Sequence, residues 1–87
     1  MKNKWYVYLL RCSDNSLYCG ITNNLSNRLK QHNRGKGSKY TRFRLPVKFV
    51  YLEIAENRSV VSKREYRIKQ LTKKEKELMV KNYLNNL

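Results

Sequence analysis

Residues 5–21, with the sequence WYVYLLRCSDNSLYCGI, contain the pattern that decides the fold. Aromatic and β-branched side chains dominate 4–11 and 17–21, and a polar triplet at 13–15 lies between them. Strands favour aromatic and β-branched residues, and turns favour small polar ones, so the stretch predicts a β-hairpin. Asn15 tolerates the left-handed backbone of a three-residue turn, which places the turn at the triplet.

A three-residue turn also fixes how the two strands pair. Tyr8 then faces Gly20, Leu10 faces Tyr18, and the side chains of Tyr6, Tyr8 and Tyr18 share one face of the hairpin. Aliphatic side chains would pack better there than phenols, so we interpret this face of the hairpin as a functional surface. Glycine weakens a strand, and Gly20 therefore indicates either a close approach by another group or a bulge before the next helix.

The charge of the chain limits the kinds of partner it can have. Lys and Arg number 20 against six Asp and Glu, a net charge of +14 over 87 residues. Such an excess repels itself unless a polyanion is nearby, which indicates nucleic acid or, less well, an anionic membrane surface. The cations are interspersed with Tyr, Leu, Val and Ile, so a disordered basic tail is excluded and one domain covering 1–87 is expected.

Several features predict a cytoplasmic protein without a membrane partner. No stretch approaches the roughly 20 apolar residues of a membrane span, and no amphipathic terminal helix with an exposed aromatic face is evident. The N-terminus has no signal-peptide pattern. Cys12 and Cys19 have no second pair at metal-ligand spacing, so free thiols in a reducing compartment are expected.

The remaining chain predicts three helices and one more strand. A helix of about ten residues follows an asparagine cap at position 23 or 24, and its apolar stripe also carries Arg28 and His32. A third strand is predicted at 47–55, and helices at 59–70 and 73–85. Alternation in the third strand places two sets of side chains on opposite faces: Phe49, Tyr51 and Glu53 on one, and Val50, Leu52 and Ile54 on the other.

Residues 33–46 form a basic connection that contains two glycines and no acid, with one helical turn predicted near Lys39–Phe43. Cations interleaved with aromatic residues suit a segment that binds phosphates and places bases or sugars against the rings, whereas the alternative is a solvated loop. The candidate nucleic-acid-binding residues are Arg34, Lys36, Lys39, Tyr40, Arg42 and Arg44.

Glu65 is the only acid in residues 59–74. It can form a pair with Lys69 one turn later, worth about 0.3–0.5 kcal/mol. Alternatively, it is a lone carboxylate that binds a hard divalent cation, since Mg²⁺ is often held by one or two carboxylates together with substrate phosphate.

Five spaced features together resemble the GIY-YIG nuclease superfamily, and the whole chain resembles its small stand-alone bacterial members. These features are Tyr6-Val7-Tyr8, Tyr18-Cys19-Gly20, Arg28, His32 and a helical Glu65. The resemblance implies an α+β fold, GIY-YIG-like, with a three-stranded antiparallel sheet flanked by helices in the order β-β-α-β-α-α. It also implies metal-dependent hydrolysis of DNA phosphodiester bonds.

By resemblance, each candidate catalytic residue has an expected role. Arg28 matches the phosphate-contacting arginine and Glu65 the metal-binding glutamate, so Arg28 and a Mg²⁺ or Mn²⁺ ion would stabilise charge on the attacked phosphate. Tyr8, Tyr18 or His32 would take the proton of the attacking water, and a nearby cation can lower the pKa of a tyrosine from about 10. Two further residues are expected to shape the site, Tyr6 and Gly20.

The resemblance therefore predicts a Mg²⁺-dependent endonuclease acting on DNA, in repair or recombination. Because these 87 residues include no separate DNA-reading domain, low sequence specificity or guidance by a protein partner is expected, and RNA is a second candidate substrate. The alternative is a non-catalytic basic nucleic-acid-binding module on the same fold. Ile21 favours that alternative, because repair-type members often have a lysine there.

Overall fold

The computed structural model describes residues 4–87. The expectation about a signal peptide falls partly on residues 1–3, which lie outside this range. The three strands form one antiparallel sheet in the order β2-β1-β3, so the predicted α+β architecture is confirmed. Element boundaries agree with the sequence-based ones to within one residue, and the helical turn near residue 40 is a short helix, α2. The elements are β1 (Trp5–Arg11), β2 (Leu17–Thr22), α1 (Leu25–Asn33), α2 (Lys39–Arg42), β3 (Lys48–Ala55), α3 (Arg58–Lys69) and α4 (Lys73–Asn85).

The hairpin of β1 and β2 has the predicted turn and register. Asn15 adopts a left-handed backbone with φ of 69°, and its N–H donates to the Cys12 carbonyl over 2.9 Å. Tyr8 pairs with Gly20, and Leu10 pairs with Tyr18. The side chains of Tyr8 and Tyr18 therefore lie on the same face of the sheet.

Strand β3 contains an irregularity that corrects the predicted alternation. Leu9 pairs with Tyr51 while Leu10 pairs with Phe49, which leaves Val50 as an extra residue on β3. Such a bulge inverts the alternation of side chains beyond it. Phe49 therefore packs beside Tyr8, and Val50 and Tyr51 belong to the opposite face, so the prediction was wrong for Phe49 and Val50.

The sheet separates two hydrophobic clusters. Helices α3 and α4 cover one face, where the buried residues are Val7, Leu9, Cys19, Val50, Val61, Ile68 and Val80. On the other face the buried residues are Tyr8, Leu10, Cys12 and Val47, with Tyr18 and Leu29 packed against them. The two cysteines are free thiols in different clusters, as expected for a chain without a disulfide.

The basic connection between α1 and β3 has its two ends joined to each other and is attached to the hairpin turn. The Asn33 side chain exchanges two hydrogen bonds with the Val47 backbone, at 2.8 and 3.1 Å. Near the end of the connection, Arg44 forms an ion pair with Asp14 of the hairpin turn at 2.9 Å, and its carbonyl accepts from the Ser13 N–H. These contacts hold the connection over the tyrosine face of the sheet.

Helix α4 begins with the predicted capping box of Thr72 and Glu75. Its Glu77 carboxylate binds the Arg11 guanidinium through two hydrogen bonds of 2.6 and 2.7 Å, which tie α4 to β1. The same contacts lower the pKa of Glu77 to about 2. Among residues 4–87, no helix is both long and apolar enough to cross a membrane.

Candidate functional site

Tyr8 of β1 and His32 of α1 form a hydrogen-bonded pair in the centre of the tyrosine-face cluster. The Tyr8 hydroxyl lies 2.9 Å from His32 Nε2, and the rings meet edge to face with centroids 6.0 Å apart. Neither side chain has any exposed surface. A buried phenol and imidazole need partners of this kind, because an unpaired polar group in a core is costly.

Two glycines make room for this pair. A Cβ atom on Gly20 would lie 2.4 Å from the Tyr8 hydroxyl oxygen, and one on Gly37 would lie 2.1 Å from His32 Nδ1. Both separations are shorter than any tolerable contact. The group that approaches Gly20 closely is therefore the Tyr8 side chain of the neighbouring strand, and β2 has no bulge at that position.

Arg28 lies one turn before His32 on α1 and is held at three points. Its Nε donates to the Tyr8 hydroxyl oxygen at 3.4 Å, Nη1 donates to Gln31 Oε1 at 3.0 Å, and Nη2 donates to the Gly37 carbonyl at 3.1 Å. A guanidinium has five N–H donors, so one on each terminal nitrogen has no hydrogen-bond partner within residues 4–87. Arg28 is thus oriented by the protein and still has two donors for a ligand.

Arg28 also lines a pocket of about 320 Å³ at the end of β2. Its other polar lining residues include Arg58, whose guanidinium lies 5.5 Å from the ring centre of Trp5, and Asn27. None of the residues that line this pocket is acidic. Two arginines and several amides without a counter-charge favour an anionic ligand.

Thr41 completes the surroundings of His32 and was not identified from the sequence. Its hydroxyl oxygen lies 2.9 Å from His32 Nδ1 and 2.9 Å from the hydroxyl of Ser38, and the residue has no exposed surface. A threonine within a basic segment gives no sequence signal of such a role. Gly37 was noticed only as part of a glycine-containing connection.

Tyr18 is the partly exposed phenol of the group. Its ring meets His32 edge to face, with centroids 5.5 Å apart, and stacks on Tyr40 at 5.9 Å with a 23° angle between the planes. Tyr18 therefore lies between the buried pair and the solvent. Tyr6, the other expected site-shaping residue on this strand pair, is opposite Thr22 near the start of β1, away from these contacts.

Burial shifts the pKa values of both Tyr8 and His32. Burial raises the pKa of Tyr8 to about 12, because the loss of hydration outweighs the lowering effect of Arg28. A nearby cation thus lowers the pKa of Tyr8 as expected, but burial outweighs it and the net change is upward. Burial, followed by the Arg28 charge, lowers the pKa of His32 to about 4, so the imidazole is neutral at pH 7.

Glu65 lies apart from this group. It belongs to α3, which packs on the other face of the sheet, and its half-buried carboxylate forms an ion pair with Lys69 at 3.3 Å. Helix α3 packs against β2 as well as β1, and burial, followed by the Glu65 charge, raises the pKa of the Cys19 thiol on β2 to about 12. The structure therefore brings Tyr8, Tyr18, Arg28 and His32 together and leaves Glu65 across β2 from them.

Glu65 offers a metal ion too few protein ligands by itself, so water and a bound phosphate would have to complete the coordination. Within the described range, no group of three or more His, Cys, Asp or Glu side chains is placed to hold a metal ion. The Glu65 side chain is 22% exposed and its one ion pair is with a surface lysine that can move away. A single accessible carboxylate fits Mg²⁺, which commonly keeps several waters and binds substrate phosphate.

The six candidate nucleic-acid-binding residues fall into two sets. Tyr40 and Arg44 are engaged internally, since the Arg44 guanidinium lies 3.8 Å from the Tyr40 ring centre and pairs with Asp14. Phe43, by contrast, is 78% exposed and has the Arg42 guanidinium 4.8 Å from its ring centre. Of the six candidates, four are exposed cations with no acidic partner in the described part of the chain: Arg34, Lys36, Lys39 and Arg42.

Comparison with known proteins gives a consistent set of similarities. A family model described as the GIY-YIG catalytic domain matches residues 4–78. A UPF0213 protein of Clostridium perfringens is 58% identical over 71 residues, covering 82% of this chain and 76% of that protein. A UPF0213 protein of Bacillus velezensis is 53% identical over 75 residues, covering 86% and 76%.

Two solved structures are also similar to this chain. A solution NMR structure of a protein from E. faecalis has a TM-score of 0.62 and 41% identity, covering 95% of this chain and 91% of that one. That of a UPF0213 protein from Bacillus halodurans has a TM-score of 0.58 and 38% identity, covering 90% and 83%.

Proposed function

Because the chain belongs to the GIY-YIG family, we propose that it is a divalent-metal-dependent endonuclease that hydrolyses DNA phosphodiester bonds with low sequence specificity. The observation that carries the proposal is that the Tyr8–His32 pair contacts both the held guanidinium of Arg28 and the partly exposed phenol ring of Tyr18. An anion-binding group and a candidate proton acceptor are thus joined by one buried pair on the same face of the sheet.

Arg28 is the residue that binds the scissile phosphate. Three of its donors are occupied by Tyr8, Gln31 and the Gly37 carbonyl, which prevents the guanidinium from rotating. The two remaining donors, on different nitrogens, suit two oxygens of one phosphate. Negative charge grows on those oxygens as water attacks, so a guanidinium already in place stabilises the transition state more than the ground state.

Tyr18, once it has lost its own proton to solvent, is the group that accepts the proton of the attacking water. Tyr8 and His32, the other two candidates, have no exposed surface and cannot touch a substrate in this conformation. Their contacts instead run to Arg28, which makes them positioning residues. Tyr18 contacts His32 on the buried side and has partial access to solvent on the other.

Glu65 is the residue that would hold the metal ion. A Mg²⁺ or Mn²⁺ ion bound there would act as a Lewis acid on the phosphate. The carboxylate must first release Lys69, which costs little because an exposed pair of this type contributes about 0.3–0.5 kcal/mol. The position of Glu65 across β2 requires a substrate that contacts both sides of this edge strand.

The exposed cations of the connection bind the DNA backbone. Lys39 and Arg42 share α2 with Tyr40, which stacks on Tyr18, so a strand that they bind passes near the site. Arg34 and Lys36 precede α2 in the same connection. Phosphate contacts carry no sequence information and apply equally to RNA. A role in cytoplasmic DNA repair or recombination fits this activity, with a protein partner to select the site of cutting.

The proposal is tested by replacing the metal-binding carboxylate. Supercoiled plasmid and branched DNA are incubated with wild type, Glu65→Gln and the control Glu56→Gln, with and without Mg²⁺. We expect Mg²⁺-dependent nicking by wild type and Glu56→Gln, and a loss of about 100-fold or more for Glu65→Gln with binding retained. Equal nicking by wild type and Glu65→Gln would contradict the assignment.

Two observations favour a second function, that of a non-catalytic nucleic-acid-binding module. Glu65 is separated from the tyrosine face by β2 and is paired with Lys69, and Ile21 lines the pocket beside Arg28 in place of a cation. Under this alternative, all three proteins in the nicking assay bind DNA equally and none cuts it in the presence of Mg²⁺.

A further inference from the structure

A continuous chain of hydrogen bonds runs beneath the candidate site from Ser38 to Arg28. Ser38 and Thr41 hydroxyls lie 2.9 Å apart, Thr41 lies 2.9 Å from His32 Nδ1, His32 Nε2 lies 2.9 Å from the Tyr8 hydroxyl, and that oxygen accepts from Arg28 Nε at 3.4 Å. The three central residues have no exposed surface. Only the two ends of the chain reach the surface of the molecule.

We propose that Thr41 is a positioning residue that fixes the orientation of the Arg28 guanidinium through His32 and Tyr8. The proposal rests on the proposed function for the role of Arg28 as phosphate ligand, whereas the chain itself is independent of that role. The proposal gives the buried hydroxyl of Thr41 a structural role in the site, although this hydroxyl does not contact the substrate.

The direction of the chain follows from counting donors and acceptors. The Tyr8 oxygen accepts from Arg28 Nε, so its own hydrogen must find another acceptor. In residues 4–87 the acceptor within hydrogen-bonding distance is His32 Nε2. Nε2 must then be unprotonated, and the neutral imidazole carries its hydrogen on Nδ1 and donates it to Thr41.

The opposite direction would leave a buried hydrogen without a partner. If Thr41 donated to Nδ1, His32 would carry its hydrogen on Nε2 and point it at the Tyr8 oxygen. That oxygen would then face two donors, and the phenol hydrogen would have no acceptor in a fully buried position. The Thr41 hydroxyl, which can pass its own hydrogen to Ser38, is what keeps His32 in the first form.

Removal of the Thr41 oxygen is therefore expected to change the orientation of the Arg28 guanidinium. Without an acceptor beside Nδ1, the imidazole is expected to move its hydrogen to Nε2 and donate it to the Tyr8 oxygen, which turns the phenol hydrogen toward Arg28 Nε, donor against donor. The hydrogen bond between Arg28 and Tyr8 is already the longest in the chain, at 3.4 Å, and is the first to give way. Arg28 would then be oriented only by Gln31 and the Gly37 carbonyl.

The location of Thr41 links this chain to DNA binding. Thr41 belongs to α2, a helix of four residues that also carries the exposed cations Lys39 and Arg42. Ser38 caps the same helix by accepting from the Thr41 N–H at 3.0 Å. Phosphates bound by these cations would hold α2 in place, and with it the acceptor on which the orientation of Arg28 depends.

The test uses the single histidine of the chain, since ¹⁵N-histidine labelling then reports His32 alone. The labelled proteins are wild type, Thr41→Val, which replaces the hydroxyl by a methyl group, and the matched control Thr41→Ser, which keeps it. The proposal predicts hydrogen on Nδ1 in wild type and Thr41→Ser, and on Nε2 in Thr41→Val. It also predicts that the chemical shift of the Arg28 Nε–H group changes in Thr41→Val and is unchanged in Thr41→Ser.

In the cleavage assay, Thr41→Val is expected to be slower by about 10- to 100-fold, the size of effect seen when the partner of a functional histidine is removed. Thr41→Ser should restore the rate, and the dissociation constant for DNA should change by less than about threefold in both. Unchanged cleavage by a folded Thr41→Val whose histidine hydrogen has moved would overturn the positioning role.

Each remaining outcome is also decisive. Hydrogen on Nε2 in the wild type overturns the proposal before any variant is made, and an unchanged histidine in Thr41→Val does so as well. If Thr41→Val does not fold, Thr41→Ala removes the same oxygen without a second branch. If wild type cuts no DNA, the proposed function fails, while the histidine and Arg28 resonances still support or overturn the chain.

Discussion

Tyr8 and His32 are polar side chains in the middle of a hydrophobic cluster, and their hydrogen bond is what makes their burial tolerable. The sequence placed both on one face through the hairpin register and the helical stripe of α1. Their complete burial was not predictable, because the residues that cover them come from the connection after α1. Gly37 and Thr41 meet His32 only once that connection is folded, so no local pattern identifies them.

The pKa of His32 is a direct test of this burial. A group whose folded pKa of about 4 lies below its ordinary value of 6.5 stabilises the fold above pH 6.5. As pH falls from 6.5 to 4, only the unfolded state takes up the proton, so the free energy of unfolding decreases by about 1.4 kcal/mol per pH unit from this group. NMR titration of the single histidine should give a midpoint near 4, and a midpoint near 6.5 would show that His32 is hydrated.

At the scale of elements, the connection between α1 and β3 has two functions. Its buried side carries Thr41 and Gly37 against His32, and its outer side carries unpaired cations. Its basic composition was evident from the sequence, but the internal use of Tyr40 and Arg44 was not, because it depends on Tyr18 and Asp14 from the distant hairpin. The bulge at Val50 escaped prediction because β3 has apolar residues on both faces.

The outer side of the connection is tested by the salt dependence of DNA binding. Alanine at Lys36, Lys39 or Arg42 should weaken binding and reduce the log–log slope against salt concentration by about one unit for each phosphate that the variant no longer binds. Lys81→Ala on α4 removes the same charge from a different exposed site and serves as the control. Equal reductions for Lys39→Ala and Lys81→Ala would show that net charge alone, rather than this segment, governs binding.

For the whole molecule, the sheet divides the site into two parts. Arg28 and Tyr18 lie on the face covered by α1 and α2, and Glu65 lies on the helix that covers the other face. The hairpin and the chain order of elements followed from the sequence, and the antiparallel sheet followed from the family resemblance. The position of Glu65 did not follow from the sequence, because charged residues lie between Val61 and Ile68 of α3 and no pattern there indicates which edge of the sheet the helix follows.

The central claim is that the tyrosine face performs hydrolysis, and the single-turnover cleavage rate of Tyr18→Phe tests it most directly. This change removes one hydroxyl and keeps the stacking ring, and Tyr83→Phe on α4 removes a hydroxyl on the other side of the sheet. With Mg²⁺ and saturating protein, we predict a rate about 100-fold or more below wild type for Tyr18→Phe. We predict a change within about twofold for Tyr83→Phe, because its hydroxyl lies outside the site. A Tyr18→Phe protein that cuts DNA as fast as wild type would contradict the account.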